Sequence, residues 1–243
     1  MKTRILLLSL ITVVSIFTSC KKDQIEIIPS SNVSSVEKSV SIDNKLEVSG
    51  PFRVHLTFST TEESVIVEAN DNLHRYIDVE NKNGWLKVRL RNNLNFNSRH
   101  GVLNVYITTS KINEYQIQGA ASVFLENELY AANTNIDLDG ACFFSGTLHA
   151  NTLYAGLSGA SKLELNGSTM LLDVKSEGAC IVKNYNFEVA QLDADLNGAS
   201  EVYLSVSESL KVRANGGSKV YYKGNGVVQS QYLSGGSSIK KMD

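Results

Sequence analysis

The chain has 243 residues, 23 basic and 25 acidic, for a formal net charge of −2 at neutral pH. Lys2 and Arg4 fall in an N-terminal apolar leader, so the rest carries 21 basic against 25 acidic residues, a net −4. That balance argues against a nucleic-acid partner, and residues 20–243 are enough to bury a core as one elongated domain.

Residues 1–19 read as a signal peptide: Lys2 and Arg4, an apolar run from Ile5 to Phe17, then small residues before Cys20. The run is too short to span a bilayer. Phe17-Thr18-Ser19-Cys20 resembles a bacterial lipobox with Phe in place of the commoner Leu, which implies lipidation at Cys20. Two or more acyl chains on one Cys would anchor stably. Residues 20–35 are polar and Ser-rich and are expected to be the lipidated Cys and a flexible tether. Their Lys21-Lys22-Asp23 start resembles the basic-acidic export signal of some Bacteroidetes lipoproteins.

Residues 36–110 are β-rich. Phe52, Val54, Leu56 and Phe58 alternate, as do Val65 and Val67. An Asn83-Gly84 hairpin signal separates Ile77 and Val79 from Leu86, Val88 and Leu90; Leu103, Val105 and Ile107 make a further strand. The segment is expected to cap the open edge of a repeat array in residues 111–243, either as a separate sheet or as irregular first coils.

Residues 111–243 carry one phrase seven times, starting at Gly119, Gly140, Gly159, Gly178, Gly198, Gly216 and Gly235, with spacings of 21, 19, 19, 20, 18 and 19. A fixed period near twenty marks a solenoid, whose coils bury their apolar sides against their neighbours. Two residues before each Gly and four after it stand apolar or small residues, among them Ile117, Leu138, Val123 and Phe144. One residue before it stand polar ones. Alternation with period two requires strands and excludes helices. The predicted fold is all-β, a β-helix of coils of about nineteen residues, with the glycines at tight interior corners. An antiparallel meander is the competing reading.

Residues of about 40 to 240 resemble the Bacteroidetes family called putative auto-transporter adhesin, head GIN domain. The matching stretches are Gly50-Pro51-Phe52-Arg53-Val54-His55-Leu56, Val65-Ile66-Val67-Glu68-Ala69, Asn83-Gly84-Trp85-Leu86-Lys87-Val88, Val105-Tyr106-Ile107-Thr108 and the Gly-Ala-Ser ladder. The resemblance implies a right-handed single-stranded β-helix on a secreted or lipid-anchored protein.

Cys142 and Cys180 occupy one column two coils apart, about 9.6 Å at about 4.8 Å per coil, too far for a bridge. They are expected to be free, buried fillers. His55, His74, His100 and His149 lack metal-ligand spacing, and no zinc, phosphate-loop or cofactor motif is present. The acidic pairs Asp137/Asp139, Asp173/Glu177 and Asp193/Asp195 are read as not aligning in one outward column on adjacent coils, as glycoside cleavage would require. One outward strip, at offsets three and five after the glycines, gathers Phe124, Phe143, Lys162, Glu164, Lys183, Glu201, Tyr203, Lys219 and Tyr221 as a candidate face for a glycan or protein ligand.

The expected function is a non-enzymatic envelope lipoprotein of the outer membrane, a module for binding, adhesion or assembly. The alternative is a carbohydrate-active β-helix enzyme, a polysaccharide lyase or hydrolase. A cleft with convergent carboxylates and long loops would favour the enzyme.

Overall fold

The computed structural model describes residues 25–91, 94–96 and 101–243; the leader, Cys20 and His100 lie outside them. The segment expected to be a tether is ordered into strands from Ile25 onward. Strand β1 (Ile25–Ile27) is the first among the described residues, and β2 (Val33–Glu37) comes next with all five residues exposed. Such a strand contributes backbone hydrogen bonds without burying a face, so its sequence shows no alternation.

The solenoid begins earlier than the seven phrases indicate. β3 (Lys45–Gly50) and β4 (Arg53–Thr57) flank Gly50-Pro51-Phe52 and form a corner of the same kind. Gly50 pairs with Gly119, and its φ is +119°, so the ladder has eight glycines. From β4 the chain leaves the ladder through β5 (Ser64–Asn70) and β6 (Ile77–Lys82). At Asn83 (φ 56°) and Gly84 (φ 80°) it turns back into β7 (Trp85–Leu90), which lies parallel to β3. Both central residues at positive φ make the tight hairpin that the Asn-Gly pair predicts.

β8 (Leu94–Phe96) pairs with β1, and β9 (Leu103–Thr108) runs parallel to β4 and antiparallel to β5. Only then do β10 (Glu114–Gly119) and β11 (Ser122–Leu125) take the opposite sides of β3 and β4. The N-terminal part is thus both of the predicted alternatives at once. It supplies coil strands, and β5, paired in turn with β2, and β6 lie against the outermost of them as an antiparallel cover.

Beyond this point chain order and coil order coincide. β12 (Leu129–Gly140), β13 (Phe143–Gly159), β14 (Lys162–Gly178), β15 (Ile181–Gly198) and β16 (Glu201–Gly216) stack in parallel, each in register with the last at its glycine. β17 (Lys219–Lys223), β18 (Val227–Leu233) and β19 (Ser238–Lys241) end the stack. The meander reading is excluded.

Inward columns fill the core. Ile117, Leu138, Leu157, Leu196 and Ala214 lie before the corner and Val123, Phe144, Leu163, Val182, Val202 and Val220 after it, all buried. Tyr115 packs edge-on against Phe144 at 5.0 Å between centroids, and its hydroxyl donates to the Ile112 carbonyl at 3.1 Å. That bond satisfies the one polar atom that so buried a ring carries.

The corner explains the recurring small residues. All eight ladder glycines have φ between +67° and +119°, a region that L side chains rarely adopt. A Cβ on Gly140, Gly159 or Gly235 would stand 2.5 Å from the carbonyl oxygen of the glycine one coil before it. That oxygen accepts a hydrogen bond instead, as in Ala141 N–H to Gly119 at 2.7 Å and Ala160 N–H to Gly140 at 2.7 Å. The ladder therefore continues around the bend. Two residues on, Ser161 Oγ donates to the Gly140 and Ser158 carbonyls, and Ser200 and Ser218 repeat the contact. Cys142 and Cys180 fill the same column, free and buried, as their register requires.

Candidate functional site

Odd offsets after the corner face outward and stack in two columns. The first runs Asn104, Arg53, Ser122, Phe143, Lys162, Ile181, Glu201, Lys219 and Ser238. The second runs Tyr106, His55, Phe124, Ser145, Glu164, Lys183, Tyr203, Tyr221 and Lys240. All nine candidate residues stand in these columns and are half-buried. Nine strands at about 4.8 Å give a strip about 38 Å long.

Arg53, His55 and Tyr106 extend the strip and were missed because the Gly-Ala phrase is absent around Gly50. His55 stacks on Tyr106 at 5.0 Å and on Phe124 at 5.3 Å, and its Nδ1 lies 2.6 Å from Glu126. The Arg53 guanidinium sits 5.0 Å from the Phe124 ring centre, and Lys162 sits 5.0 Å from that of Phe143. In the middle, Glu164 accepts from Lys162 at 2.8 Å and faces Lys183 at 3.4 Å. The hydrogen bond from Lys162 holds the Glu164 carboxyl below the usual carboxylate range and raises Lys162 in turn.

At the far end Tyr203 and Tyr221 stack at 4.9 Å, with Tyr185 edge-on to Tyr203. Tyr203 donates to Glu201 at 2.5 Å; that bond pushes its phenol up to about 12. Tyr185 joins the strip because its coil, at twenty residues, holds one more than the coil before it and two more than the coil after it, and the ladder to the latter shifts register between Asn184 and Glu188. The spacing of twenty in the sequence is the trace of that bulge.

A second outward face precedes the corner. There Asp173 and Asp193 are direct partners on adjacent coils, and Lys175, Asp195 and Arg213 form the neighbouring column. This corrects the reading that no acidic residues align. Each aspartate stands five residues before its glycine, so the alignment already placed them together; attention to pairs within a coil hid it. Arg213 pairs with Asp195 at 3.2 Å. The face is a shallow groove, and among the described residues no coil carries a long loop over it. Among the described residues no group of three or more His, Cys, Asp or Glu side chains is arranged to hold a metal ion.

Fold and surface together define a class: a β-solenoid of in-register coils with an outward strip of aromatic and charged side chains. The chain belongs to the family described as "Putative auto-transporter adhesin, head GIN domain", whose model matches residues 44–226. A "putative adhesin" from Bacteroides fragilis superposes with a TM-score of 0.77 at 20% identity, covering 89% of this chain and 100% of its own. A "putative adhesin" from Parabacteroides distasonis gives 0.73 at 17%, covering 89% and 100%. A "putative lipid binding protein" from the same organism gives 0.67 at 17%, covering 90% and 100%. At these identities the likeness establishes the fold. No functionally curated protein matches the chain.

Proposed function

We propose that the protein is a non-enzymatic lipoprotein of the bacterial outer membrane, anchored through Cys20, that binds a protein partner along the outward strip. The strip carries the reading. Its rings and charges are held by neighbours on the same coil or one coil away, so little side-chain freedom remains to be lost on binding. Two groups of rings, one at each end, flank a charged middle along a strip of about nine strands, which suits another protein's surface better than a small ligand. Membership in a family described as adhesins agrees with it.

Two measurements test the proposal. A fatty-acid label should mark the wild type and not Cys20→Ala; label persisting in the mutant refutes the anchor. Beads coated with the full-length protein in detergent should adhere to at least one immobilised matrix protein, and Phe143→Ser combined with Tyr203→Ser should weaken adhesion at least tenfold. Adhesion indifferent to those changes, or none at all, removes the strip as the binding face.

A further inference from the structure

We infer that the outward face leading into the glycine corner is a second site, a groove that binds a neutral, hydroxyl-rich polysaccharide. Two cavities lie end to end on it. One of about 500 Å³ is lined by Asn135, Asp137, Tyr154 and Gly156 among others; the next, about 430 Å³, extends to Arg213 and Tyr232. Asp173 and Lys175 line both, so the two form one trough. From the Tyr154 coil to the Tyr232 coil are four ladder steps, about 19 Å at about 4.8 Å each. That length accommodates several sugar rings.

The tyrosines distinguish this face from the strip. A pyranose packs its C–H bonds on an open aromatic face. On the strip such faces are taken: His55 has Tyr106 on one side and Phe124 on the other, and Tyr203 covers Tyr221. Tyr154 and Tyr232 are 47% and 63% exposed, and among the described residues no ring or cation stacks on either. They stand in the two cavities with rings available.

Polar groups between them point to hydroxyls. Asp173 and Asp193 face each other across the ladder, an arrangement that costs stability, and neither has an ion-pair or side-chain hydrogen-bond partner among the described residues. Lys175 and Lys211 are likewise unpaired there. A sugar hydroxyl can donate to such carboxylates and accept from such ammonium groups. Around the cavity of about 430 Å³ three carboxylates, Asp173, Asp193 and Asp195, balance Lys175, Lys211 and Arg213. The other cavity adds Glu114, which Lys45 pairs at 3.0 Å, and Asp137, which Asn135 holds, so the trough has no positive excess to draw a polyanion and only one surplus carboxylate toward a polycation, a balance that favours a neutral chain. At Gly156 the floor is polar: the Asp137 carboxylate fills the space a side chain would take, and Asn135 Nδ2 donates to that carboxylate at 3.0 Å.

Affinity electrophoresis of the full-length protein in detergent, in native gels containing mannan, xylan, a mixed-linkage glucan, hyaluronan or chitosan, tests the site. At least one neutral polysaccharide should retard the protein, and Tyr154→Ala and Asp193→Asn should each weaken retardation tenfold or more. Phe143→Ser with Tyr203→Ser should leave it unchanged, which separates this groove from the strip whichever of the two fails. Unchanged thermal unfolding of Tyr154→Ala, an exposed position, shows that any loss is local. Retardation by none of the neutral chains, by charged chains alone, or undisturbed by the groove variants overturns the inference.

Discussion

Gly50 and Gly159 occupy the same column of the same ladder, yet their coils are assembled differently. The neighbours of Gly159 are Gly140 and Gly178, nineteen residues away on each side. Gly50 pairs with Gly119, and its strand is flanked on the other side by Trp85–Leu90, so every contact closes a long loop. The glycine corner is therefore a geometric unit that does not need chain order. Regular coils arise from local repetition, and the first coils reach the same shape through loop closures that cost more entropy.

The comparison breaks most visibly at the corner. Gly159→Ala adds a methyl group at positive φ, 2.5 Å from a backbone carbonyl oxygen that cannot give way. It should destabilise by more than about 3 kcal/mol in denaturant unfolding. At Gly50 an added Cβ meets the Phe52 ring at 3.5 Å, an ordinary contact. Gly50→Ala should therefore cost only the backbone strain, about 1 to 2 kcal/mol. Equal costs at the two positions would show that steric closure is not what distinguishes the regular coils.

Smaller changes sharpen the picture. Ser161→Ala removes a buried hydroxyl that serves the Gly140 and Ser158 carbonyls, and should cost about 1 kcal/mol. Ser176 stands where other coils carry Ile, Leu or Ala, and its buried Oγ has no partner among the described residues. Ser176→Ala should leave stability unchanged or raise it by up to about 1 kcal/mol, and a loss of that size would reveal a partner for the hydroxyl. On the strip Lys162→Ser should change stability by no more than about 0.5 kcal/mol, since the ion pair it breaks is partly exposed and screened by solvent.

The smallest effect is spectroscopic. Tyr203 should titrate near 12, and Glu201→Gln should bring it back toward 10. Because the folded value is raised, the bond's contribution is present below pH 10 and is lost as pH rises toward 12. A Tyr203 signal unmoved by Glu201→Gln would assign the shift to burial.

The amino-acid sequence alone determined the regular part of this protein. A period near nineteen, alternation around each Gly and the Asn83-Gly84 turn are short-range signals, and coil register, free Cys142 and Cys180, and the outward strip follow from them because each coil sees only its neighbours. Tertiary structure decided the rest. Gly50 joined the ladder, β2 became a strand and β7 passed outside β3 through pairings that no local pattern encodes. The availability of the Tyr154 and Tyr232 rings, against the closure of His55 and Tyr203, depends on what the adjacent coil places above and below each one. Side-chain type is written in the chain, but whether a ring face is covered is a property of the stack.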